Sequence, residues 1–301
     1  MARRLRPIEE QVMVITGASS GIGLATTLAA AERGASVVAV ARSEQTLRDV
    51  VDTISSAGGR AMMAVADVSD RRAMENVARV VASDFGRIDT WVNNAGVAIY
   101  GRLEEVDEED SRRLFDVNFW GVVNGSLAAL PHLRASGGAL INVGSEVSEG
   151  VIPLQGMYSA SKHAVKGFTD ALRLEVEQVD EAPVCITLIQ PTAVDTPYPE
   201  HARNYMDREP KLPTPMIDPA QVAHAILKAA TEGGRDVKVG AMASFNTTMS
   251  RLVPGLADRF AAMQADRQQR DEPPLNPQGT LYRPSETGRV HGRAQEPRAA
   301  H

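Results

Sequence analysis

The sequence predicts an α/β fold: a single doubly wound parallel sheet of about seven strands with helices on both faces, followed by a C-terminal helical or disordered extension. Three observations carry this prediction. Short runs rich in Val and Ile recur along the chain, stretches of helical spacing fill nearly every gap between them, and the runs are continuously apolar, as in strands buried on both faces. Right-handed crossovers through the intervening helices then stack successive units into one sheet.

In order, the predicted strands fall at about 12–16 (VMVIT), 36–41 (SVVAVA), 61–66 (AMMAVA), 88–93 (IDTWVN), 139–143 (ALINV), 184–190 (VCITLIQ) and 236–240 (DVKVG). The α/β domain runs over 10–243, after a flexible start at 1–9. Two segments break the rhythm. Residues 195–219 carry Pro197, Pro199, Pro210, Pro213, Pro215 and Pro219, which predicts a long loop or lid with short helical pieces. Residues 271–301 hold five prolines and little apolar content, which predicts a disordered tail; Leu281, Tyr282 and Arg283 are its candidates for docking on the core. Between them, 244–270 has the spacing of a helical extension, interrupted by Pro254.

The chain has 301 residues, 43% hydrophobic and 23% charged, with a formal net charge of -6. That charge gives no general attraction to nucleic acid or anionic lipid. No run approaches the roughly 18 apolar residues of a membrane span, and Met1 to Pro7 lacks a signal peptide's apolar stretch, so a cytoplasmic location is expected. The single cysteine, Cys185, allows neither an internal disulfide nor a multi-cysteine zinc site. His132, His163, His201 and His224 show no paired ligand spacing, and no metal site is expected.

After the first strand comes Thr16-Gly17-Ala18-Ser19-Ser20-Gly21-Ile22-Gly23, opening an alanine-rich helix. Glycines at such a turn let backbone approach a pyrophosphate, and the helix start offers free N–H groups and partial positive charge. A tight glycine turn for packing is the plain alternative. Gly17 to Gly21 also satisfies the nucleophile elbow of serine hydrolases, with Ser19 as nucleophile and Asp195 and His224 as nominal partners. Only about a dozen residues precede the turn, too few for the strand and loop that build that fold's oxyanion hole.

Cofactor choice falls at the end of the second strand, where a carboxylate would accept from a ribose 2′-hydroxyl. Here stands Ala41-Arg42-Ser43. A guanidinium forms paired, charge-assisted bonds to phosphate, so Arg42 with Ser43 favours NADP(H) over NAD(H). A solvated surface arginine is the plain alternative, and nearby Glu44 argues the other way.

Further along come Asn93-Asn94-Ala95-Gly96, Asn118, Ser145, and Tyr158 with Lys162. Four residues apart on a helix, the phenol and the ammonium share a face. A cation there stabilises phenolate, so Lys162 is expected to lower the Tyr158 pKa from about 10 and fit it for acid–base work.

With these residues in this order, the chain resembles the short-chain dehydrogenase/reductase superfamily over roughly residues 10–240. The resemblance implies a Rossmann-like fold and a nicotinamide-dependent oxidoreductase. Under it, Gly17, Ser19, Ser20, Gly21, Ile22 and Gly23 hold the cofactor, Asp67 and Val68 contact its adenine, and Asn93, Asn94, Ala95 and Gly96 support sheet and cofactor. Tyr158 transfers the proton, Lys162 also binds the nicotinamide ribose, Ser145 orients the substrate carbonyl and Asn118 holds a relay water. Pro191, Val194 and Thr196 match the segment on the nicotinamide side.

The sequence departs from the family pattern at three places: Thr192 stands where glycine is usual, Gly144 where a second serine is common, and Glu146 follows the serine. Glu146 then either binds a polar substrate group or faces solvent. Val97, Ile99, Val151, Ile152 and Leu154, with Glu146, Gln155 and the lid, form the expected pocket, which fits a moderately apolar ketone, aldehyde or secondary alcohol. A nicotinamide-binding sensor without turnover is the second class, disfavoured because it has no use for Ser145, Tyr158 and Lys162. The resemblance also implies a homodimer or homotetramer through helices at about 107–132 and 157–179.

Overall fold

A computed structural model describes residues 5–241, 255 and 261–293. Seven parallel strands form one sheet: β1 (Val12–Thr16), β2 (Ser36–Ala41), β3 (Arg60–Val65), β4 (Thr90–Asn93), β6 (Ala139–Val143), β7 (Cys185–Pro191) and β9 (Asp236–Val239). Their spatial order is β3-β2-β1-β4-β6-β7-β9. The predicted strands are thus present, with ends moved by a residue or two. Every residue of β1 and β2 is buried, which is why these runs carry no polar alternation.

Helices cover both faces. On one side α1 (Gly21–Glu32), α2 (Glu44–Ser56) and α7 (Pro219–Glu232) pack Leu24, Leu47, Val50 and Val222 onto Met13, Ile15 and Val37. On the other, α3 (Arg71–Phe85), α4 (Glu108–Phe115), α5 (Gly121–Ser136) and α6 (Gly156–Arg173) bring Met74, Leu114, Leu133 and Leu172 against Val14, Val38 and Trp91. A π-helical turn, Asp116–Trp120, joins α4 to α5. Strand order reverses between β1 and β4, and the crevice at their carboxyl ends is where such sheets bind ligands.

The lid differs from the helical pieces expected. Arg203–Asn204 (β8) pairs in parallel with Ile99–Tyr100 (β5), making a second, two-stranded sheet above the crevice. Of the extension expected at 244–270, residues 244–254 and 256–260 lie outside the described residues; Asp266–Gln268 forms a short 3-10 turn with Gln268 buried. Residues 271–293 lie against the domain rather than free of it, because Leu281 is buried in the core and backbone bonds tie Pro277 and Thr280 to the lid.

Candidate active site

One cleft runs from Arg42, Asp67 and Val68, past Gly17, Ser19, Ser20, Gly21 and Ile22, then Asn94, Ala95 and Gly96, to Ser145, Tyr158, Lys162, Pro191, Val194 and Thr196. Residues nominated from seven separate stretches of sequence therefore meet in one place. The backbone explains much of this. Gly17 has φ +69° and a Cβ there would stand 2.8 Å from Ala95 Cα; Gly21 has φ +54°. Gly23 is buried in α1 behind the cleft lining, and a Cβ on it would stand 2.1 Å from the Gly17 carbonyl oxygen. Its work is close packing of the turn.

The β4 end is held by side chains. Thr16 Oγ1 accepts from the Asn94 and Ala95 N–H groups at 3.0 and 3.1 Å, and Asn94 Nδ2 donates to the Thr16 carbonyl at 2.9 Å. Asn93 sits one layer deeper, donating to Ser126 Oγ and Asn142 Oδ1. At the far end, burial alone would raise the Asp67 carboxyl, but hydrogen bonds from the Ser69 N–H and hydroxyl and the Arg113 guanidinium hold it below the usual range. Arg42 stands 3.9 Å from Asp67.

Ser145 follows β6 and does two things. Its hydroxyl accepts from Val147 N–H at 3.3 Å, capping the Glu146–Ser148 turn, and it hydrogen-bonds with the Tyr158 phenol. Gly144 is explained by the same turn: a Cβ there would stand 2.9 Å from Ser148 Oγ, which accepts from Ser145 N–H. A serine at 144 would not fit without movement. The other two departures from the family pattern meet each other, since Thr192 Oγ1 donates to Glu146 Oε1 at 3.1 Å. Glu146 therefore faces the cleft with a protein partner, neither solvent-facing nor free.

Lys162 is buried on α6, donates to the Val143 carbonyl at 2.9 Å, and lies 5.7 Å from the Tyr158 ring centre. Burial pushes its pKa down to about 8. The expectation of a lowered Tyr158 pKa is not met: burial pushes the phenol up to about 12 and Glu146 adds to this, outweighing the hydrogen bonds from Ser145 and Tyr198. Tyr158 so placed holds its proton at neutral pH.

Asn118 lies in the π-helical turn, fully buried and outside the cleft lining. Its Oδ1 accepts from Val97 N–H at 2.8 Å, and its Nδ2 donates to Val97 O and Ser161 Oγ at 3.0 and 3.1 Å. Of the expected pocket residues, Val97, Ile152, Gln155 and Glu146 line the cleft, whereas Ile99 is core, Leu154 lies outside the lining and Val151 is exposed. Two groups went unread in the sequence, Tyr198 and Gln268, and both bond to Gln155. Tyr198 crosses Tyr158 edge-on at 5.4 Å and donates to Gln155 Oε1 at 3.0 Å, and Gln155 donates in turn to buried Gln268. The nominal hydrolase partner His224 sits beside Arg33, beyond the far end of α1 from Ser19.

The family model for short chain dehydrogenases matches residues 11–206. The chain belongs to the short-chain dehydrogenase/reductase family. An uncharacterized oxidoreductase of Bacillus subtilis, YxnA, is 44% identical over 284 residues, 93% of this chain and 80% of its own. A 3-ketodihydrosphingosine reductase of Bacteroides thetaiotaomicron is 36% identical over 195 residues, 64% of this chain and 68% of its own. An alcohol dehydrogenase of the archaeon Thermococcus sibiricus, complexed with 5-hydroxy-NADP, superposes with a TM-score of 0.67 at 28% identity, covering 76% of this chain and 94% of that one. The chain is thus an oxidoreductase of a family that uses nicotinamide cofactors. Among the described residues no helix is long and apolar enough to cross a membrane, and no group of three or more His, Cys, Asp or Glu gathers to hold a metal.

Proposed function

We propose that the protein is an NADP(H)-dependent oxidoreductase that reduces the carbonyl of a moderately apolar small molecule, with Tyr158 as proton donor. The observation that carries this is the cleft itself, which joins a phosphate-binding glycine turn to a tyrosine hydrogen-bonded to Ser145 beside a buried lysine. The residues fit the dinucleotide. Gly17 and Gly21, both at positive φ, shape a turn on which a Cβ would press against Ala95 and Thr196, and the start of α1 carries backbone donors suited to a pyrophosphate, of which Gly21 N–H meets the Arg289 carbonyl at 2.9 Å. Asp67 and Val68 border the adenine end, and Pro191, Val194 and Thr196 the nicotinamide end.

The cofactor, when bound, supplies the hydride. The chain's own part is to orient and polarise. Ser145 and Tyr158 place two hydroxyls where a carbonyl oxygen would develop negative charge. Tyr158, protonated at neutral pH, gives that oxygen its proton, and Lys162 stabilises the phenolate left behind. Asn118 acts indirectly, fixing the backbone of Val97 and, through Ser161, the turn of α6 that bears Tyr158. Arg42 and Ser43 support the NADP(H) assignment, as does the NADP analogue in the Thermococcus sibiricus enzyme. Val97, Ile152, Leu212 and Pro213 give the substrate end its apolar character.

The same reading places the protein in the cytoplasm as a homodimer or homotetramer. Trp120, Leu174 and Val179, all exposed, fall in or at the ends of the helical stretches expected at the interface. The test is consumption of NADPH and NADH, in parallel, over a panel of ketones and aldehydes. Turnover with apolar carbonyls and a preference for NADPH is expected; turnover confined to small charged acids would contradict the substrate class, and a preference for NADH the role of Arg42.

A further inference from the structure

The last described stretch of chain runs over the cleft from the Arg42 end to the glycine turn, where Gly21 N–H donates to the Arg289 carbonyl at 2.9 Å. It is anchored first: Asn204 N–H donates to the Pro277 carbonyl and Thr280 N–H to the His201 carbonyl, both at 2.8 Å, and Leu281 is 1% exposed. Beyond the anchor it meets the groups around Arg42. The Arg42 guanidinium donates to the Thr280 and Leu281 carbonyls at 2.5 and 3.2 Å, and Ser43 Oγ donates to the Ser285 carbonyl at 2.7 Å. The Thr46 N–H and hydroxyl both donate to the Glu286 carboxylate, at 3.1 and 2.5 Å. Ser43, at the cap position of α2, makes no cap bond to its own helix. Glu286 takes that place.

Guanidinium, hydroxyl and a helix-start N–H are the donors a phosphate recruits. Here each already has an acceptor from the tail. One of those acceptors, the Glu286 carboxylate, carries a charge of the same sign as a phosphate and lies within one helical turn of Ser43. A ribose 2′-hydroxyl is uncharged and meets no such repulsion. Thr280, Pro284 and Ser285 line the cleft from above, so the adenosine end remains a cleft with the tail in place.

We propose that Glu286 is a specificity-determining residue: the docked tail competes with a cofactor 2′-phosphate for Arg42, Ser43 and the start of α2, and so narrows the preference for NADP(H) over NAD(H) that Arg42 confers. The proposal rests on the reading of this cleft as a dinucleotide site with adenosine at Arg42. The neutral, isosteric Glu286→Gln keeps an acceptor for Thr46 and removes only the charge.

Two probes separate the arms: adenosine 2′,5′-bisphosphate carries the 2′-phosphate and 5′-AMP lacks it. By calorimetry on the full chain, Glu286→Gln is expected to tighten bisphosphate binding about tenfold and to move 5′-AMP less than about twofold. By hydrogen exchange, saturating bisphosphate is expected to strip protection from backbone amides in 280–287, the part of the tail at Arg42, Ser43 and Thr46, and 5′-AMP to leave it there. Equal bisphosphate affinity in the two chains, or tail protection that rises with bisphosphate, overturns the proposal while 5′-AMP binding upholds the site. If neither nucleotide binds, the dinucleotide reading falls first and this proposal with it.

Discussion

At the residue scale, the chemistry rests on two buried groups pushed in opposite directions. Burial raises Tyr158 to about 12 and lowers Lys162 to about 8, each favouring its neutral form. The sign of the pH dependence follows. Under the proposed mechanism, below about 8 Lys162 is a cation that would stabilise the phenolate left when the proton is given up; above it the cation is lost while Tyr158 still holds its proton. Carbonyl reduction, as kcat/KM at saturating cofactor, is therefore expected to hold steady up to about pH 7 and to fall through about pH 8. A profile flat to pH 10 would remove Lys162 from the proton transfer. A second prediction concerns the pair at the substrate end. Thr192→Gly removes the hydroxyl that donates to Glu146 Oε1 at 3.1 Å. It is expected to change KM by about threefold or more, because Thr192 lines the cleft and holds Glu146, and to move kcat less than KM, because it reaches Tyr158 only through the charge of Glu146. A collapse of kcat with KM unchanged would contradict this.

At the element scale, what was legible in the sequence was the sheet. Strands such as Val12–Thr16 and Ser36–Ala41 are buried throughout, and burial on both faces writes itself as uninterrupted Val, Ile and Ala. Many of the motif residues were legible for a related reason, since the glycine turn, Arg42, Asn94 to Gly96 and Ser145 follow strand ends that the topology directs to one crevice, while Tyr158 and Lys162 were legible from their spacing on α6. The short sheet of Ile99–Tyr100 with Arg203–Asn204 was not, because two-residue strands leave no periodic trace. The tail contacts were hidden differently. Leu281, a docking candidate in the sequence, is buried in the core, but the contacts to Arg42 and Ser43 come from main-chain carbonyls of Thr280, Leu281 and Ser285, which no residue type announces. Helix starts give a simpler check. The Asp70 carboxylate caps α3, accepting from Arg72 and Ala73 N–H at 2.8 and 3.2 Å. Asp70→Ala is expected to cost about 1 kcal/mol and to lower the melting temperature by about 2–4 °C; an unchanged melting curve would show the cap to be redundant.

At the scale of the whole molecule, the seven-stranded sheet, the two-stranded sheet of β5 and β8 and the tail meet at the cleft, and the outer helices retain apolar surface. Trp120 is 51% exposed, Leu174 53% and Val179 77%. Burying such groups against a second copy gains about 25 cal/mol per Å² of apolar surface, which favours association. Light scattering at micromolar concentration is expected to give a dimer or tetramer, and Trp120→Glu to shift it toward smaller species; a monomeric wild-type chain would contradict this. The central claim is that one tyrosine in the cleft moves the proton, and it is tested most directly by Tyr158→Phe. With any carbonyl that the wild type reduces, turnover is expected to fall by about 10²–10⁴-fold while NADPH still binds with near wild-type affinity. Turnover within a few-fold of wild type in that variant would contradict the account.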